Sequence, residues 1–403
     1  MLELIIKKEQ TQKQIALIEN ENLVEYYEED NELERKEGNI YIGIVKDIVK
    51  GMQAAFVDIG SEKNSFIHFK DLLPKIDETK LNEKMKKQAL SEAQIDIEKL
   101  IKPNQKILVQ VKKDSNEKKG ARISTHINLP SKYIVLMPNT DIITISQKIE
   151  DKKEQERLIS LVKENLTQGN GAIIRTSAEH KTQEVIEDIH HIEEKWNNIL
   201  KISVDPEQNE PKLLYKSEDI VGKILIDLAD KELKTIITND KKEKERLEVL
   251  KKANKEYQKI EIILQTQKDL LEQYHLYEQI EKMQNRKIWL KCGGFITIDK
   301  TEALTAIDVN TGKYTGKSDL QQTVYLVNKE ATIEVAKQIR LRDIGGIIII
   351  DYIDMPDNED KKKIENLLKE ELKKDRTKTQ VEGFTKLDLM EMTRKHICSH
   401  KEG

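Results

Sequence analysis

Three residues in the last third of the chain have types and spacing suited to metal and phosphate chemistry. Asp308 follows the stretch Leu304-Thr305-Ala306-Ile307, and Asn310 comes two positions later, on the same side of an extended segment. Asp351 ends a run of four isoleucines, Ile347 to Ile350. A carboxylate closing a buried strand is costly unless something pairs with it, and sheets place ligand sites just beyond strand ends. Two carboxylates plus a substrate phosphate are a common way to hold Mg²⁺, which keeps several of its waters. The amide of Asn310 would steer the phosphate. Turn capping by Asp and Asn accounts for the same residues without a metal.

Other candidates lie upstream. Phe56 and Phe66 are two of only five phenylalanines and fall in short strand-like segments. Aromatics on the face of a small barrel stack on unpaired bases; packed inside, they are ordinary core. From Ile101 to Pro130 stand Lys102, Lys106, Lys112, Lys113, Lys118, Lys119 and Arg122, opposed only by Asp114 and Glu117. A phosphate backbone is attracted to such a patch even when the whole protein is slightly acidic. Arg175 and Thr176 follow an apolar strand and precede a polar turn with His180 and Lys181. A guanidinium fork beside a hydroxyl suits phosphate oxygens, and it also suits a plain surface strand end.

Several chemistries are excluded or weak. There is no Gly-x-Ser-x-Gly elbow and no Gly-x-x-x-x-Gly-Lys loop. Cys398 and His400 make a half-site for zinc with no second half nearby. The net charge is −4 over 403 residues, with 35% of them charged. Nucleic-acid affinity therefore has to come from local patches. The longest aliphatic run is far short of the about 20 residues a membrane span needs, and Met1 to Lys8 has no secretory pattern. Two cysteines, Cys292 and Cys398, exclude a disulfide framework. The sequence predicts a soluble cytoplasmic protein.

These residues need elements to hold them. Met1 to about Glu37 reads as one or two strands. From Gly38, short strands punctuated by glycine suggest a barrel of the OB type, interrupted by a charged helical insertion between Leu73 and Lys102. Strands at Tyr133–Met137 and Gly171–Arg175 alternate with helices over Lys152–Glu164 and about Thr182–Leu200. After strand and helix from Leu213 to about Ile237, Asn239 to Lys287 reads as largely helical with a solvated charged face. Paired strands at Phe295–Asp299 and Leu304–Val309, a helix over about Leu320–Arg342, a fully buried strand from Gly345 to Ile353 and a helix over about Asp360–Lys374 predict an α/β layer with a covered sheet.

Taken in order, these motifs resemble the ribonuclease E/G family over essentially the whole chain. The most specific stretches are Gly293-Gly294-Phe295 through Thr301-Glu302-Ala303-Leu304-Thr305-Ala306-Ile307-Asp308-Val309-Asn310, and Arg340-Leu341-Arg342-Asp343-Ile344-Gly345-Gly346 through Asp351-Tyr352-Ile353-Asp354-Met355. The resemblance implies a mixed α/β and α+β multidomain fold. Residues 1–37 plus 213–280 would form an RNase H-like structural subdomain, and 38–119 an inserted S1-type OB-fold that binds RNA. Residues 120–212 would form a 5′-sensor region and 281–403 a DNase I-like catalytic domain. It further implies that Asp308 and Asp351 hold Mg²⁺, with Mn²⁺ as a substitute, and that Asn310 orients Asp308 and the scissile phosphate. Phe56, Phe66 and Lys113 would contact RNA, and Arg175 with Thr176 would hold a 5′-monophosphate. Family members usually continue with a Cys-Pro-x-Cys zinc link. Here Ile397-Cys398-Ser399-His400 stands near that place, so no zinc-tied dimer is expected, and any homo-oligomer would use another surface. The family also tends to follow Arg-Thr with Ala-Gly, where this chain has Ser177-Ala178.

The expected activity is endonucleolytic hydrolysis of single-stranded, AU-rich RNA, with 5′-phosphate and 3′-hydroxyl products and a preference for 5′-monophosphorylated substrates. The rival is a non-catalytic RNA-binding paralogue, against which the retained trio Asp308, Asn310 and Asp351 argues. A DNA-specific nuclease fits less well, since no major-groove reading helix is apparent.

Overall fold

The computed structural model describes residues 1–30, 35–72, 97–115, 119–204, 210–228, 233–267, 269–312 and 320–397. Most of the charged insertion expected between Leu73 and Lys102 lies outside them, as do Lys118, Cys398 and His400. The chain divides into two compact units: one joins the first residues from Met1 to the segment from Asp227 onward, and the other is the stretch between, ending at Ile226. The architecture is mixed α/β, with four sheets and eight α-helices among the described residues.

In the first unit, three antiparallel strands, Leu2–Lys8, Gln12–Glu19 and Asn22–Asp30, open a five-stranded sheet. Leu2–Lys8 also pairs in parallel with Leu233–Thr238, which pairs with Glu261–Leu264. The third and fifth of these strands correct the sequence reading. Asn22–Asp30 is masked by its acids, one of which, Glu25, is only 1% exposed. Glu261–Leu264 is four residues of strand inside a Lys/Glu-rich stretch that reads as helix, and its pairing with a distant strand overrides that local pattern.

The unit's other sheet has six strands in the order Lys287–Trp289, Phe295–Lys300, Leu304–Asn310, Gly346–Asp351, Leu389–Arg394, Thr379–Phe384. The last two have no counterpart in the sequence reading. The helices Leu320–Leu341 and Asn358–Leu372 belong to the core on one face of this sheet, with Ile307, Val309, Ile348, Ile350, Met390 and Met392. The other face is open. Ile347 is 51% exposed, whereas Ile348 and Ile350 are fully buried, so the isoleucine run is half-covered rather than fully buried.

A buried ion network links elements of this unit. Glu25 accepts from Arg340 Nε at 3.2 Å, from Arg376 Nε at 2.9 Å and from the Tyr27 hydroxyl at 2.8 Å. Arg376 also reaches Asp227 at 2.9 Å. Arg394 donates to Asp375 at 2.6 Å and to Asp343 at 2.7 Å, with its side chain fully buried.

The second unit holds a closed barrel. Ile40–Val49 pairs with both Ala54–Asp58 and Lys106–Lys113, and Ser65–His68 and Arg122–Ser124 complete the ring. Gly43 permits the closure, because a Cβ there would sit 2.6 Å from Val57 Cγ1. Beside the barrel, Ile134–Pro138, Asn170–Ile174 and Ile143–Ile145 share a four-stranded sheet. The helices Lys152–Asn165 and Gln183–Ser203 bury Leu158, Val162, Ile189 and Trp196 in the same core.

Truncating Glu25 takes a carboxylate partner from the buried Arg376 side chain and from the partly buried Arg340. Glu25→Ala is expected to cost the first unit about 3–5 kcal/mol, measured by urea denaturation, while Glu19→Ala, at the exposed end of the neighbouring strand, changes stability by under about 0.5 kcal/mol.

Candidate active site

Strand alternation decides which residues of the six-stranded sheet reach solvent. Along Leu304–Asn310, Thr305, Ile307 and Val309 are buried, whereas Asp308 and Asn310 point to the open face. Along Gly346–Asp351, Ile348 and Ile350 go inward and Asp351 outward. The two strands are parallel, and their register sets Asp308 directly against Asp351. Asn310 Nδ2 donates to Asp308 Oδ2 at 2.5 Å and fixes that carboxylate. Behind Asp351, fully buried Asn328 grips the backbone of Ile353 twice, donating to its carbonyl at 2.8 Å and accepting from its N–H at 3.1 Å. The Tyr352 hydroxyl meets Thr332 Oγ1 at 2.9 Å.

Crowding of negative charge leaves a signature. Partial burial first, then the charges of Asp308 and Asp354, push the Asp351 carboxyl above its ordinary pKa. A third carboxylate on the face, Asp299, is already matched by Arg286 through bonds of 2.5 and 2.6 Å, which hold its pKa down. Asp308 and Asp351 thus form a like-charged oxygen pair with no cation of the protein bonded to it among the described residues. That donor set fits a hard divalent ion such as Mg²⁺, which takes one or two carboxylates and fills its shell with water and phosphate. It does not fit zinc: among the described residues no group of three or more His, Cys, Asp or Glu converges.

The second predicted cluster lies on the outside of the barrel. Phe56 pairs with Phe66, Phe66 with Arg122, and Arg122 with Lys113, which makes a row across four strands. The neighbours Ala55, Val57, Ile67, Val111 and Ile123 are buried, so the row faces outward. The two phenyl rings meet edge to face at 6.2 Å, half-buried rather than in the core. Beside them is an open groove of about 390 Å³, lined by residues that include Lys112, Lys113, Arg122 and Asn128. Arg122, noted in the sequence only as part of a basic patch, is placed in this row by pairing between strands far apart in sequence.

The third pair sits at the end of Asn170–Ile174. Arg175 Nη1 donates to the Ser131 carbonyl at 2.7 Å, and the hydroxyls of Thr176 and Ser146 lie 3.0 Å apart. Both side chains are half-buried. Asp188 orders the facing segment by accepting from the Tyr133 N–H at 2.9 Å and from the Ser131 hydroxyl.

The sequence profile of the Ribonuclease E/G family matches residues 128–397. Ribonuclease G of Escherichia coli K12 is 37% identical over 395 residues, covering 98% of this chain and 79% of the relative. The chain belongs to the ribonuclease E/G family. Another member, ribonuclease G of Haemophilus influenzae, is 35% identical over 98% of this chain and 79% of its own length. Ribonuclease E of a Nostoc species is 32% identical over 95% of this chain and 56% of its own length. In this member of the family no helix among the described residues is long and apolar enough to cross a membrane.

The open face also carries residues the sequence reading did not single out for chemistry. Lys287 and Trp289, on the edge strand, point the same way as Asp308, opposite Ile288, which packs on the core. Their signal, a tryptophan in a three-residue strand, is invisible until the strand is paired.

If Asp308 and Asp351 are held together for a cation, millimolar Mg²⁺ should raise the melting temperature of the wild type and leave that of Asp351→Asn unchanged. Because the Asp351 carboxyl is held above its ordinary pKa, protons compete with the ion there at a higher pH than at an unperturbed carboxylate. The Mg²⁺ effect should therefore fade as the pH falls into the acid range, in calorimetry run at several pH values.

Proposed function

We propose that this member of the ribonuclease E/G family is a metal-dependent endoribonuclease of the cytoplasm that hydrolyses phosphodiester bonds in single-stranded, AU-rich RNA and favours substrates with a 5′-monophosphate. The endoribonuclease assignment follows from family membership. Register pairing of Asp308 with Asp351, beside an amide already bonded to one of them, is the observation that carries the metal dependence.

On this reading Asp308 and Asp351 hold Mg²⁺, with Mn²⁺ as a substitute, at the scissile phosphate. When bound, the ion eases proton loss from the attacking water and offsets charge building on the phosphoryl oxygens. Asn310 spends one N–H on Asp308 and offers the other to a phosphate oxygen. Asn328 keeps the turn after Asp351 from drifting, so the two carboxylates keep their spacing through the reaction. Hydrolysis leaves a 5′-phosphate and a 3′-hydroxyl.

Strand capture falls to the barrel. Phe56 and Phe66 offer edges and faces for unpaired bases, and Lys113 a cation for the backbone. A base paired in a duplex has no free face to stack, which supports the single-strand preference. Arg175 and Thr176 supply a guanidinium and a hydroxyl to the terminal phosphate, with the guanidinium already steered by Ser131. The AU-rich preference rests on the family resemblance alone.

Three variants separate these roles on a labelled single-stranded RNA. Asp308→Asn should lower kcat by about three orders of magnitude while the RNA Kd stays within about threefold. Phe56→Ala and Phe66→Ala should each weaken binding about 5- to 100-fold. Arg175→Ala should bring the ratio of cleavage rates for 5′-monophosphate and 5′-hydroxyl substrates to about one without slowing the hydroxyl substrate. Unchanged cleavage by Asp308→Asn would sink the proposal.

A further inference from the structure

Two rows of paired residues cross the open face of the six-stranded sheet. One runs Lys287, Thr297, Asp308, Asp351, each the register partner of the next. The other runs Trp289, Phe295, Asn310. Partners in a sheet point to the same side, so an aromatic pair and a lysine stand on the face that carries the carboxylates. Phe295 is one strand from Asn310 and Trp289 two, or about 10 Å.

Their surroundings are unlike a core. Trp289 is 59% exposed, unusual for the largest apolar side chain on a short edge strand. Its ring meets Phe295 edge to face at 5.3 Å. Lys287 Nζ stands 4.1 Å from the centre of the Trp289 ring and 3.5 Å from that of Phe295, and no acid partners it among the described contacts. Just past the Asp308 strand, Gly312 packs against the Gly293 carbonyl, which a Cβ would meet at 2.5 Å, and borders the Phe295 ring at ordinary contact distance.

We propose that Trp289 and Phe295 form a stacking platform for a nucleobase flanking the scissile phosphate, with Lys287 supplying positive charge for the adjoining backbone. This inference rests on the nuclease reading above and adds a substrate contact on the catalytic sheet itself, separate from the barrel. The occupant is an unpaired base for two reasons. The platform shares its face and register with the residues assigned to the phosphate, and an exposed indole beside a lysine combines the stacking surface and cation that single-stranded nucleic acid requires. Lying about two strand spacings from Asn310, the platform serves a neighbour of the cleaved bond and so fixes where along the strand the phosphate falls.

The test uses the full chain and a single-stranded oligoribonucleotide. The protein has two tryptophans, and the other, Trp196, is 4% exposed within the second unit. Saturating quenching of tryptophan emission during an oligoribonucleotide titration in EDTA, present in the wild type and absent in Trp289→Ala, is the expected result. In cleavage assays with Mg²⁺, Trp289→Ala should raise KM about 5- to 100-fold with kcat within about threefold, and Trp289→Phe should restore most of the loss. Phe56→Ala should keep the quench at saturating RNA, since it weakens capture and leaves the platform intact. A wild type that cleaves RNA with no quench, and a Trp289→Ala variant with unchanged KM, would overturn the platform and leave the nuclease reading standing. A wild type that quenches without cleaving would do the reverse. If Trp289→Ala changed the sedimentation coefficient and not the RNA parameters, the exposed indole would be a protein contact and the inference wrong.

Discussion

Two carboxylates set side by side on neighbouring strands repel each other, and a protein keeps such a pair only where the rest of the strands leaves no choice. Here the choice is removed from behind. Ile307, Ile348 and Ile350 are at most 1% exposed and Val309 only 5%, and they lock the strands against the helices that cover the core face. A slip of one residue would bury Asp308 and expose Ile307, a change far costlier than the repulsion. Hydrophobic packing on one side of the sheet therefore fixes the charge geometry on the other. Asn310 and Asn328 refine it, the first by bonding Asp308 and the second by clamping the chain just past Asp351.

This division of labour explains what could be seen in the sequence. Asp308, Asn310 and Asp351 stood out because a polar residue ending an apolar stretch breaks a local pattern, and local patterns are legible. The helices Lys152–Asn165, Leu320–Leu341 and Asn358–Leu372 were legible for the same reason. What escaped were facts about pairing. Glu261–Leu264 has too few residues to set a period, and Asn22–Asp30 hides a buried acid whose charge is balanced by Arg340 and Arg376, more than three hundred residues away. Ile347 looked buried because a run of isoleucines fits a sheet covered on both faces, and nothing in the run reveals that one cover is missing. Arg122 and Trp289 gain their meaning from register alone.

The Glu25 network has a consequence for how the first unit forms. Its members come from opposite ends of the chain, with the whole second unit spliced between them. Glu25, Arg340 and Arg376 are each costly to bury singly and tolerable together, so neither end gains by ordering its share of the cluster alone. Contacts of such sequence separation form late and cooperatively. The second unit, whose strands and helices are contiguous in sequence, is free of that requirement and is expected to acquire its own cores earlier.

The charge balance constrains how a polyanion can be held. A chain with a net charge of −4 exerts no general pull on a polyanion, and on the proposed reading its catalytic sheet presents two bare carboxylates to the very phosphate it must hold. The cation then has two tasks, since it both supplies the chemistry and reverses the sign of the surface on which the strand lands. Without it, affinity has to reside where positive groups are built in: the row from Phe56 to Lys113 on the barrel and the lysine beside Trp289. Both places combine a cation with aromatic surface, a pairing that rewards bases free to turn outward and offers little to a duplex. On the proposed reading, selectivity for unpaired strands comes from these aromatic and cationic surfaces, while the metal pair acts on whichever phosphate they set before it.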